Sequence, residues 1–310
     1  MFLNMSIKKI IVVTIILLVT ALTLGIAVLS TITRSLINNS INTPDSLVVN
    51  SEKSFNSGGI KKINIRTVSE NVNIIATNSP EISVAFYGDA SNSHSAPKMS
   101  AVQLGNNIEI KVEHGKPYFN LFSFNRSFKL DIHIPQDYSE SIEISAVSSD
   151  INISGIEPEN LYCKTVSGNL TINSKCGSLN FSSVSGNLIA ASLHTENTHF
   201  DTTSGKMKVE SFTGNMEFSS VSGDVAVSYE KFDNDIYIKT TSGDARIKLP
   251  ENSEFYLDFK STSGNIESDF AVTVTESKRN SLKGTVGSNK NKITVKSVSG
   301  DMNLYMDSYK

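Results

Sequence analysis

The chain has 310 residues, which is enough for one large domain or two small ones. Its formal net charge is −3 and its Lys and Arg residues are scattered, so the composition argues against a nucleic-acid partner. Trp is absent, and Ser, Asn, Thr, Ile and Val are abundant, a composition that favours strands and turns over helices.

The most apolar segment lies near the N-terminus. Within residues 10–32, twenty consecutive residues carry no charge, about the length that crosses ~30 Å of hydrocarbon as a helix. A cleaved signal peptide is the alternative, but its apolar core is typically about 7–15 residues and ends in an Ala-x-Ala-like site. This segment is longer and has no such site. We therefore predict a transmembrane helix over residues 10–32.

The basic residues around this segment predict its orientation. Lys8 and Lys9 precede it, so the positive-inside rule places residues 1–9 in the cytoplasm and the remainder of the chain outside. The predicted location is thus the cell membrane, as a single-pass protein with an extracytoplasmic C-terminal domain. Residues 33–59 are polar and without period, which predicts a tether.

Residues 60–140 contain alternating apolar and polar runs but keep no fixed period. The sequence Gly105-Asn106-Asn107 is a hairpin signal. We predict that this N-terminal β section is antiparallel and caps the first coil of a repeat region at residues 141–310. A cap is expected because the end coils of a solenoid expose strand edges.

A short motif recurs through that region. Val-Ser-Gly-Asn-Leu occurs twice, eighteen residues apart, and related copies follow at steps of 18 to 21 residues. A fixed period of this length is typical of a solenoid. Glu70 and Ser149 stand at the glycine position in two degenerate copies, and the other copies have Gly168, Gly186, Gly205, Gly223, Gly243, Gly264 and Gly300.

Ser-Gly is predicted to form a corner of each coil. Glycine would permit a positive φ there, and Asn or Asp side chains can bond nearby backbone at a turn. Calcium-binding β-rolls instead repeat a Gly- and Asp-rich nonapeptide on both turns, so no metal site is predicted. The serine before each glycine is Ser167, Ser185, Ser204, Ser222, Ser242, Ser263 or Ser299, and the Asn or Asp after it is Asn169, Asn187, Asp224, Asp244, Asn265 or Asp301, with Lys206 as the exception.

Apolar residues also recur in columns relative to the glycine. The alternation between these columns and polar residues predicts half-buried strands, and turn-forming residues near each midpoint, such as Lys175–Ser178, predict a second bend. A meander of hairpins would give the same strands, but only stacked corners require serine in every copy. The predicted fold is all-β, a two-sided, β-helix-like solenoid of 18–20-residue coils, with a core column of Ile144, Cys163, Phe181, Phe200, Phe218, Ile238, Phe259 and Val295.

The last step, from Gly264 to Gly300, is 36 residues, close to two periods. We predict a hairpin insertion at about residues 272–292. Its basic residues would form a solvated loop or contact anionic polymer or lipid.

These features resemble a known bacterial family. The run "LDIHIPQDYSESIEISAVSSDINISG", the repeated Val-Ser-Gly corners, and "LKGTVGSNKNKITVKSVSGDMNLYM" are similar to domain of unknown function 4097, whose members are named as candidate adhesins. The resemblance covers roughly residues 58–310. It implies a membrane-anchored β-strand-repeat protein with its repeats outside the cell. No activity is established for the family, so it supplies no catalytic or ligand-binding residues.

We find no sequence pattern for catalysis. The five histidines have no zinc-ligand spacing, and no nucleophile elbow or phosphate-binding loop is present. We predict a non-enzymatic protein without cofactor, acting as an adhesin, an envelope scaffold or a stress-related protein. Its expected partners are the membrane and an envelope protein or wall polymer. The alternative is a β-helix protein that binds or cleaves cell-wall carbohydrate, which would place aromatic or acidic side chains on outward columns. Cys163 and Cys176 either form a disulfide or remain free.

Overall fold

The computed structural model describes residues 47–90, 96–114 and 128–307. The predicted helix at residues 10–32 lies outside the described residues. Within the described ranges, no helix is long and apolar enough to span a membrane. The chain divides into two compact units. The fold presented here is that of the larger unit (50–88, 99–113 and 127–310), and the described residues of the smaller unit are 47–49, 89–90, 96–98 and 114.

The all-β prediction is confirmed, because the described residues form strands, turns and bends but no helix. Most strands bury every second side chain, as in β10 and β17. The strands are β1 (Leu47–Asn56), β2 (Lys62–Arg66), β3 (Asn71–Thr77), β4 (Glu81–Ala90), β5 (Lys98–Leu104), β6 (Asn107–Glu113), β7 (Lys129–Pro135), β8 (Ser141–Ser145), β9 (Ile151–Ser154), β10 (Asn160–Lys164), β11 (Leu170–Ser183), β12 (Leu188–Ala190), β13 (Leu193–Thr202), β14 (Met207–Ser220), β15 (Val225–Tyr229), β16 (Ile236–Lys239), β17 (Ala245–Pro250), β18 (Phe255–Lys260), β19 (Ile266–Ser268), β20 (Thr273–Lys278), β21 (Ser281–Val286), β22 (Lys292–Lys296) and β23 (Met302–Asp307).

Strand segments that precede a Ser-Gly corner pair with one another, and so do segments that follow one. We call the first set face A and the second face B. Each face also includes the strands that pair with the ends of its set. The strand order in face A is β6, β2, β8, β10, β11, β13, β14, β16, β22, β18, β21 and β20. The order in face B is β4, β7, β3, β9, β11, β12, β14, β15, β17, β23 and β19.

The predicted core column follows the register of the strands in face A. Cys163 pairs with Ile144 on one side and with Phe181 on the other, and the column continues in order through Phe200 and Phe218. The rings of Phe181 and Phe200 stack at 4.8 Å between centroids, and Phe218 meets Phe200 edge-on at 5.5 Å. All three phenylalanines are fully buried. The column ends with Ile238, Val295 and Phe259, in that spatial order.

The second bend differs from the prediction in three coils. β11, β13 and β14 run through it as continuous strands, so the two short strands predicted on either side of Lys175–Ser178 are a single strand, β11. The chain turns there while its backbone stays paired with the neighbouring coils, with a register shift between His194 and Asn197. In the later coils, the strands do stop before residues 232–235 and 251–252.

Both ends of the solenoid are stacked out of sequence order. β22 and β23 are last in the sequence, but they lie between β16–β17 and β18–β19. At the other end, β2 and β3 lie between β6–β7 and β8–β9. The step of 36 residues therefore does not lead to the next coil outward. It returns the chain to the inner side of the coil that contains Gly264.

Two predictions about the N-terminal part are corrected. The section is not simply antiparallel, because β6 and β7 pair in parallel with β2 and β3, whereas β4 is antiparallel to β7. The predicted tether at residues 33–59 contains a strand, β1, which pairs with β4. The side chains described in β1 are exposed or half-buried, so no apolar period marked it in the sequence. At the opposite end, β20 and β21 form an antiparallel hairpin that turns at residues 279–280.

Candidate functional site: the Ser-Gly corner and face A

The Ser-Gly corners are joined by a regular set of backbone hydrogen bonds. The serine N–H of one coil donates to the carbonyl oxygen two residues before the glycine position of the neighbouring coil. Ser185 N donates to Val166 O at 3.0 Å, and Ser204 N to Val184 O at 3.0 Å. The same bond joins Ser167 to Val147, Ser222 to Thr203, Ser242 to Val221, Ser299 to Thr241 and Ser263 to Val298. The corner therefore continues the backbone pairing between coils where the chain changes face.

Glycine is required at these corners by close packing between coils, and the predicted positive φ is wrong. The positive-φ glycines of the described chain lie elsewhere, for example Gly105 and Gly155. A β-carbon at a corner glycine would lie 1.7–2.1 Å from a carbonyl oxygen of the adjacent coil. That distance is far inside van der Waals contact, so only hydrogen fits. The glycines concerned are Gly168, Gly186, Gly205, Gly223, Gly243, Gly264 and Gly300.

A third polar column completes the corner, and the sequence analysis missed it. The residue three before the glycine is Ser or Thr in most coils, and its hydroxyl accepts a hydrogen bond from the glycine N–H. Gly186 N donates to Ser183 Oγ at 2.6 Å, and Gly205 N to Thr202 Oγ1 at 2.8 Å. The signal is visible in the sequence, because Ser or Thr recurs three residues before the glycine with the same period as the corner itself. The other bonded hydroxyls are those of Thr165, Ser220 and Ser261.

The Asn and Asp side chains after the glycine bond the next coil, as predicted for a turn. The Asn169 side-chain oxygen accepts from Asn187 N at 3.0 Å, and that of Asn187 accepts from Lys206 N at 2.8 Å. The series continues from Asp224 to Asp244, Asp301 and Asn265. These oxygens are therefore engaged by backbone N–H groups. Within the described ranges, no group of three His, Cys, Asp or Glu side chains is arranged to hold a metal ion.

Lys206, which interrupts the Asn/Asp column, forms an ion pair across the coils. Its Nζ lies 2.8 Å from Asp224 Oδ2. Burial by itself raises the pKa of Asp224, but hydrogen bonds from Lys206 and from the backbone of Asp244 outweigh it and lower the pKa. The lysine thus replaces an acceptor oxygen with a cation that bonds the next acid in the column.

Glu70, one of the two substitutes for glycine, is fully buried. Its carboxylate accepts hydrogen bonds from the N–H groups of Val68 and Ser69 at 3.0 and 3.1 Å and from the hydroxyl of Thr67. The side chain therefore closes its own corner. The other substitute, Ser149, is also fully buried.

Both cysteines are free and buried. Burial raises the pKa of the Cys176 thiol to about 12 and that of Cys163 still higher. Of the two alternatives for this pair, the structure has the free thiols. Both are held protonated at neutral pH and are therefore poor nucleophiles.

Face A carries outward aromatic residues that the sequence analysis did not identify. Tyr162 is 44% exposed, and Tyr237 and Tyr256 are half-buried. Their positions could have been found by tabulating the polar columns as closely as the apolar ones. Lys296 Nζ lies 5.5 Å from the ring centroid of Tyr237, and Lys292 Nζ lies 5.9 Å from that of Tyr256.

His199 lies between two carboxylates on the same face. Its Nε2 is 2.6 Å from Asp201 Oδ2, and its Nδ1 is 3.3 Å from Glu217 Oε2. The hydrogen bond to Asp201 raises the pKa of His199, and the charges of both carboxylates add to this increase although burial opposes it. The arrangement favours the imidazolium, which donates from both nitrogens.

The chain is similar to proteins of known structure that are named as candidate adhesion or lipid-binding proteins. One from Bacteroides fragilis is 14% identical, with 84% of this chain and 98% of that one covered and a TM-score of 0.49. A candidate cell adhesion protein from Clostridium sporogenes is 14% identical, with 84% and 100% covered and a TM-score of 0.32. A candidate lipid-binding protein from Parabacteroides distasonis is 13% identical, with 82% and 96% covered and a TM-score of 0.40.

No curated protein matches the chain. The family described as Toastrack DUF4097 matches residues 60–305, which include nearly all of the described strands. The chain therefore belongs to the Toastrack DUF4097 family.

Proposed function

We propose that the protein is a non-enzymatic, membrane-anchored component of the cell envelope that acts by contact, as an adhesin or a scaffold. The segment at residues 10–32 is its single-pass anchor, with the N-terminus in the cytoplasm and the strand repeats outside. Its partners are the membrane and an envelope protein or wall polymer. A role in envelope stress is compatible with a scaffold of this kind.

The observation that carries the proposal is an apolar stripe along the Ser-Gly corners. Val68, Val147 and Val166 occupy the same position in three successive coils, and each is 37–45% exposed. Ser148 N donates to Val68 O, and Ser167 N to Val147 O, so the three corners are direct neighbours. We call these residues the valine stripe. Exposed apolar side chains grouped in this way are typical of contact surfaces.

The corner supports such a contact because hydrogen bonds already hold it in place. Backbone N–H groups, hydroxyls and Asn or Asp oxygens bond between or within coils. A surface held in this way loses little conformational entropy when it meets a partner. Its polar atoms also serve the stacking of coils, which fits a scaffold better than a catalyst.

The location is tested with the full chain expressed in bacterial cells and tagged at its C-terminus. Protease added to intact protoplasts is expected to digest the C-terminal region and spare a cytosolic control. Replacing four apolar residues within residues 10–32 by Asp is expected to release the protein from the membrane fraction. A C-terminal region that stays protected in intact protoplasts would refute the proposed topology.

The contact function is tested by replacing Val68, Val147 and Val166 together with Ser. Cells that display the variant are expected to lose adhesion, or co-purification of envelope proteins, relative to the unchanged protein at equal surface level. Ile189→Ser is the matched control, because Ile189 is 42% exposed on face B. Equal adhesion by the triple variant would show that the stripe is not the contact surface.

Carbohydrate binding is the second candidate, and the outward tyrosines favour it. Tyr162, Tyr237 and Tyr256 lie on face A, where an aromatic ring can contact a sugar. The full chain would be screened against cell-wall polysaccharides for binding and for released fragments. Fragments whose release depends on one surface carboxylate would establish an enzyme and refute the non-enzymatic proposal.

A further inference from the structure

The valine stripe is one end of a longer edge of the solenoid. Each of the nine Ser-Gly corners carries Val or Thr two residues before the glycine position, and each corner is bonded to the next through a serine N–H. Neighbouring strands lie about 4.8 Å apart, so these side chains follow one another over ~40 Å. Val298, near the opposite end from Val68, is 41% exposed. We call these nine residues and the serines that follow them the corner edge.

A charged column flanks the corner edge on the side of face A. It consists of the residue four before the glycine position, where a face A segment ends. This column is mostly basic, with five cations, three serines and a single acid, Asp201. The cations, in stacking order, are Arg66, Lys164, Lys239, Lys296 and Lys260.

The residue after the glycine position forms a second column, on the side of face B, and its charges are reversed. Its acids are Asp150, Asp224, Asp244 and Asp301, its single cation is Lys206, and its other members are Asn. Lys206 belongs to the same corner as Asp201, so the exception in each column falls at the same corner. Wherever both columns are charged at one corner, the two charges therefore have opposite signs.

Contacts within the chain do not account for this match at the corner of Gly205. Asp201 Oδ2 lies 2.6 Å from His199 Nε2, and Lys206 Nζ lies 2.8 Å from Asp224 Oδ2 on the next coil. In the residues that the structure describes, Asp201 and Lys206 form no ion pair with each other. The side chains of both are at least half exposed, so both can meet a partner at the corner edge.

The two columns fit a second copy of the chain in one orientation. A two-fold axis parallel to the stacking direction brings two corner edges together and lays the face A column of one copy against the face B column of the other, at the same level. Asp201 then faces the partner's Lys206, and Lys296 faces the partner's Asp301. An axis perpendicular to the stacking direction would lay each column against itself, so that mostly like charges would meet. Charges at the rim of an interface select its orientation in this way.

We infer that two copies of the protein associate side by side through their corner edges, with their coils stacked in the same direction. This inference rests on the proposed function, because it names a second copy as the partner of the valine stripe. An edge ~40 Å long and ~10 Å wide covers roughly 400 Å² of each copy, about half of what a stable interface buries. Anchoring both copies in one membrane raises their effective concentration, so a weak interface suffices. The shared direction also places the N-terminal coils of both copies at the same end, as two anchors in one membrane require.

The orientation is tested with the full chain in its membrane, using single cysteine substitutions and a short bismaleimide crosslinker. Val68→Cys and Val298→Cys are each expected to give a crosslinked dimer, because the inferred orientation places every position of the corner edge opposite itself. Ile189→Cys is the matched control, because Ile189 is 42% exposed but lies on face B. It is expected to give only the background of the unchanged protein, whose cysteines, Cys163 and Cys176, are buried.

The charged columns are tested in the Val298→Cys protein. Asp201→Lys places like charges against the partner's Lys206, and Lys206→Asp places like charges against the partner's Asp201. Each variant alone is expected to form about fivefold less dimer, because a symmetric interface contains the repulsive contact twice. Co-expression of the two variants is expected to restore dimers that contain one copy of each. That recovery would also show that both variants are folded.

Four results would overturn the inference. A dimer from only one of the two valine positions would show the reversed orientation, and equal dimer from Ile189→Cys would show random collision. Crosslinks to another envelope protein in place of a second copy would assign the valine stripe to that protein. No recovery on co-expression would show that the columns do not meet. If crosslinking fails while the protoplast and adhesion results hold, only the second copy is refuted, whereas failure of those two results refutes the proposed function itself.

Discussion

A β-carbon on Gly186 would lie 2.0 Å from the carbonyl oxygen of Gly168 in the adjacent coil. The two residues occupy the same position in successive repeats, and the same contact relates Gly205 to Gly186 and Gly223 to Gly205. Each corner glycine thus accommodates the backbone of its neighbour. Glycine recurs at this position because neighbouring coils lie too close for a side chain, and not because the backbone adopts a positive φ.

Replacing Gly186 with Ala is therefore expected to destabilise the protein by about 1–3 kcal/mol or more, because the added methyl must push two coils apart. The free energy of unfolding would be measured by urea titration. Ser185→Ala is the control, since Ser185 is exposed and its backbone bond to Val166 remains. Equal stability of Gly186→Ala and the unchanged protein would contradict the packing explanation.

The Asn/Asp column predicts a difference between two substitutions of Asn187. Its side-chain oxygen accepts from Lys206 N, and its Nδ2 donates to Asn169. Asn187→Ala is expected to cost about 1 kcal/mol of unfolding free energy, because it removes both bonds. Asn187→Asp keeps the acceptor and is expected to cost less. A larger loss for the Asp variant than for the Ala variant would contradict this expectation and would show that repulsion between the new carboxylate and Asn169 Oδ1 outweighs the retained acceptor.

The phenylalanine column predicts a large effect at its centre. Phe200 contacts Phe181 and Phe218 and is fully buried. Phe200→Ala is expected to cost about 3–5 kcal/mol, because it leaves a cavity between neighbouring coils. Phe200→Leu should retain most of that stability. Ile189→Ala, on an exposed position of face B, serves as the control in the same urea titration.

His199 predicts a dependence of stability on pH. The folded protein raises the pKa of His199 above its ordinary value of 6.5, so protonation favours the folded state. This contribution is fully present below the unfolded pKa and is lost as pH rises through the higher folded pKa. Between about pH 6 and pH 8, the melting temperature is expected to fall more for the unchanged protein than for His199→Gln. An equal fall in melting temperature for the two proteins over this pH range would exclude His199 as the source of the pH dependence.

The stacking order predicts which part of the C-terminal region is best protected. β22 is paired on both sides, with β16 and β18, whereas β20 pairs only with β21 in the described chain and is largely exposed. Amide hydrogens of β22 are expected to exchange more slowly than those of β20, although β22 is nearer the end of the sequence. Faster exchange in β22 would contradict the interleaved order.

The sequence was sufficient for the register in the middle of the solenoid. The core column that contains Ile144, Phe181 and Ile238 crosses face A one strand at a time. It could be predicted because a fixed period places equivalent residues of successive coils on top of one another. The period says nothing about the order of coils once a longer connection intervenes. The place of Val295 between Ile238 and Phe259 was therefore not predictable from spacing.

The candidate site was predicted only in part for a related reason. The Asn and Asp bonds follow from local turn chemistry, and the hydroxyl column of Ser183 and Thr202 was present in the sequence but was not considered. The pairing of Lys296 with both Lys239 and Lys260 depends on which strands become neighbours, so it could not be predicted from spacing. The reason for glycine at the corners could not be predicted, because the contact is with a backbone carbonyl of the adjacent coil and leaves no pattern of side chains in the sequence.

The position of residues 292–307 has a consequence for synthesis on the ribosome. β18 and β19 emerge first, but both pair on their inner side only with β22 and β23. Until those later residues leave the exit tunnel, the inner edges of β18 and β19 have unpaired N–H and C=O groups. A nascent chain arrested after residue 291 is therefore a candidate substrate for chaperones. In contrast, each strand from β8 to β17 pairs with at least one strand that precedes it in the sequence.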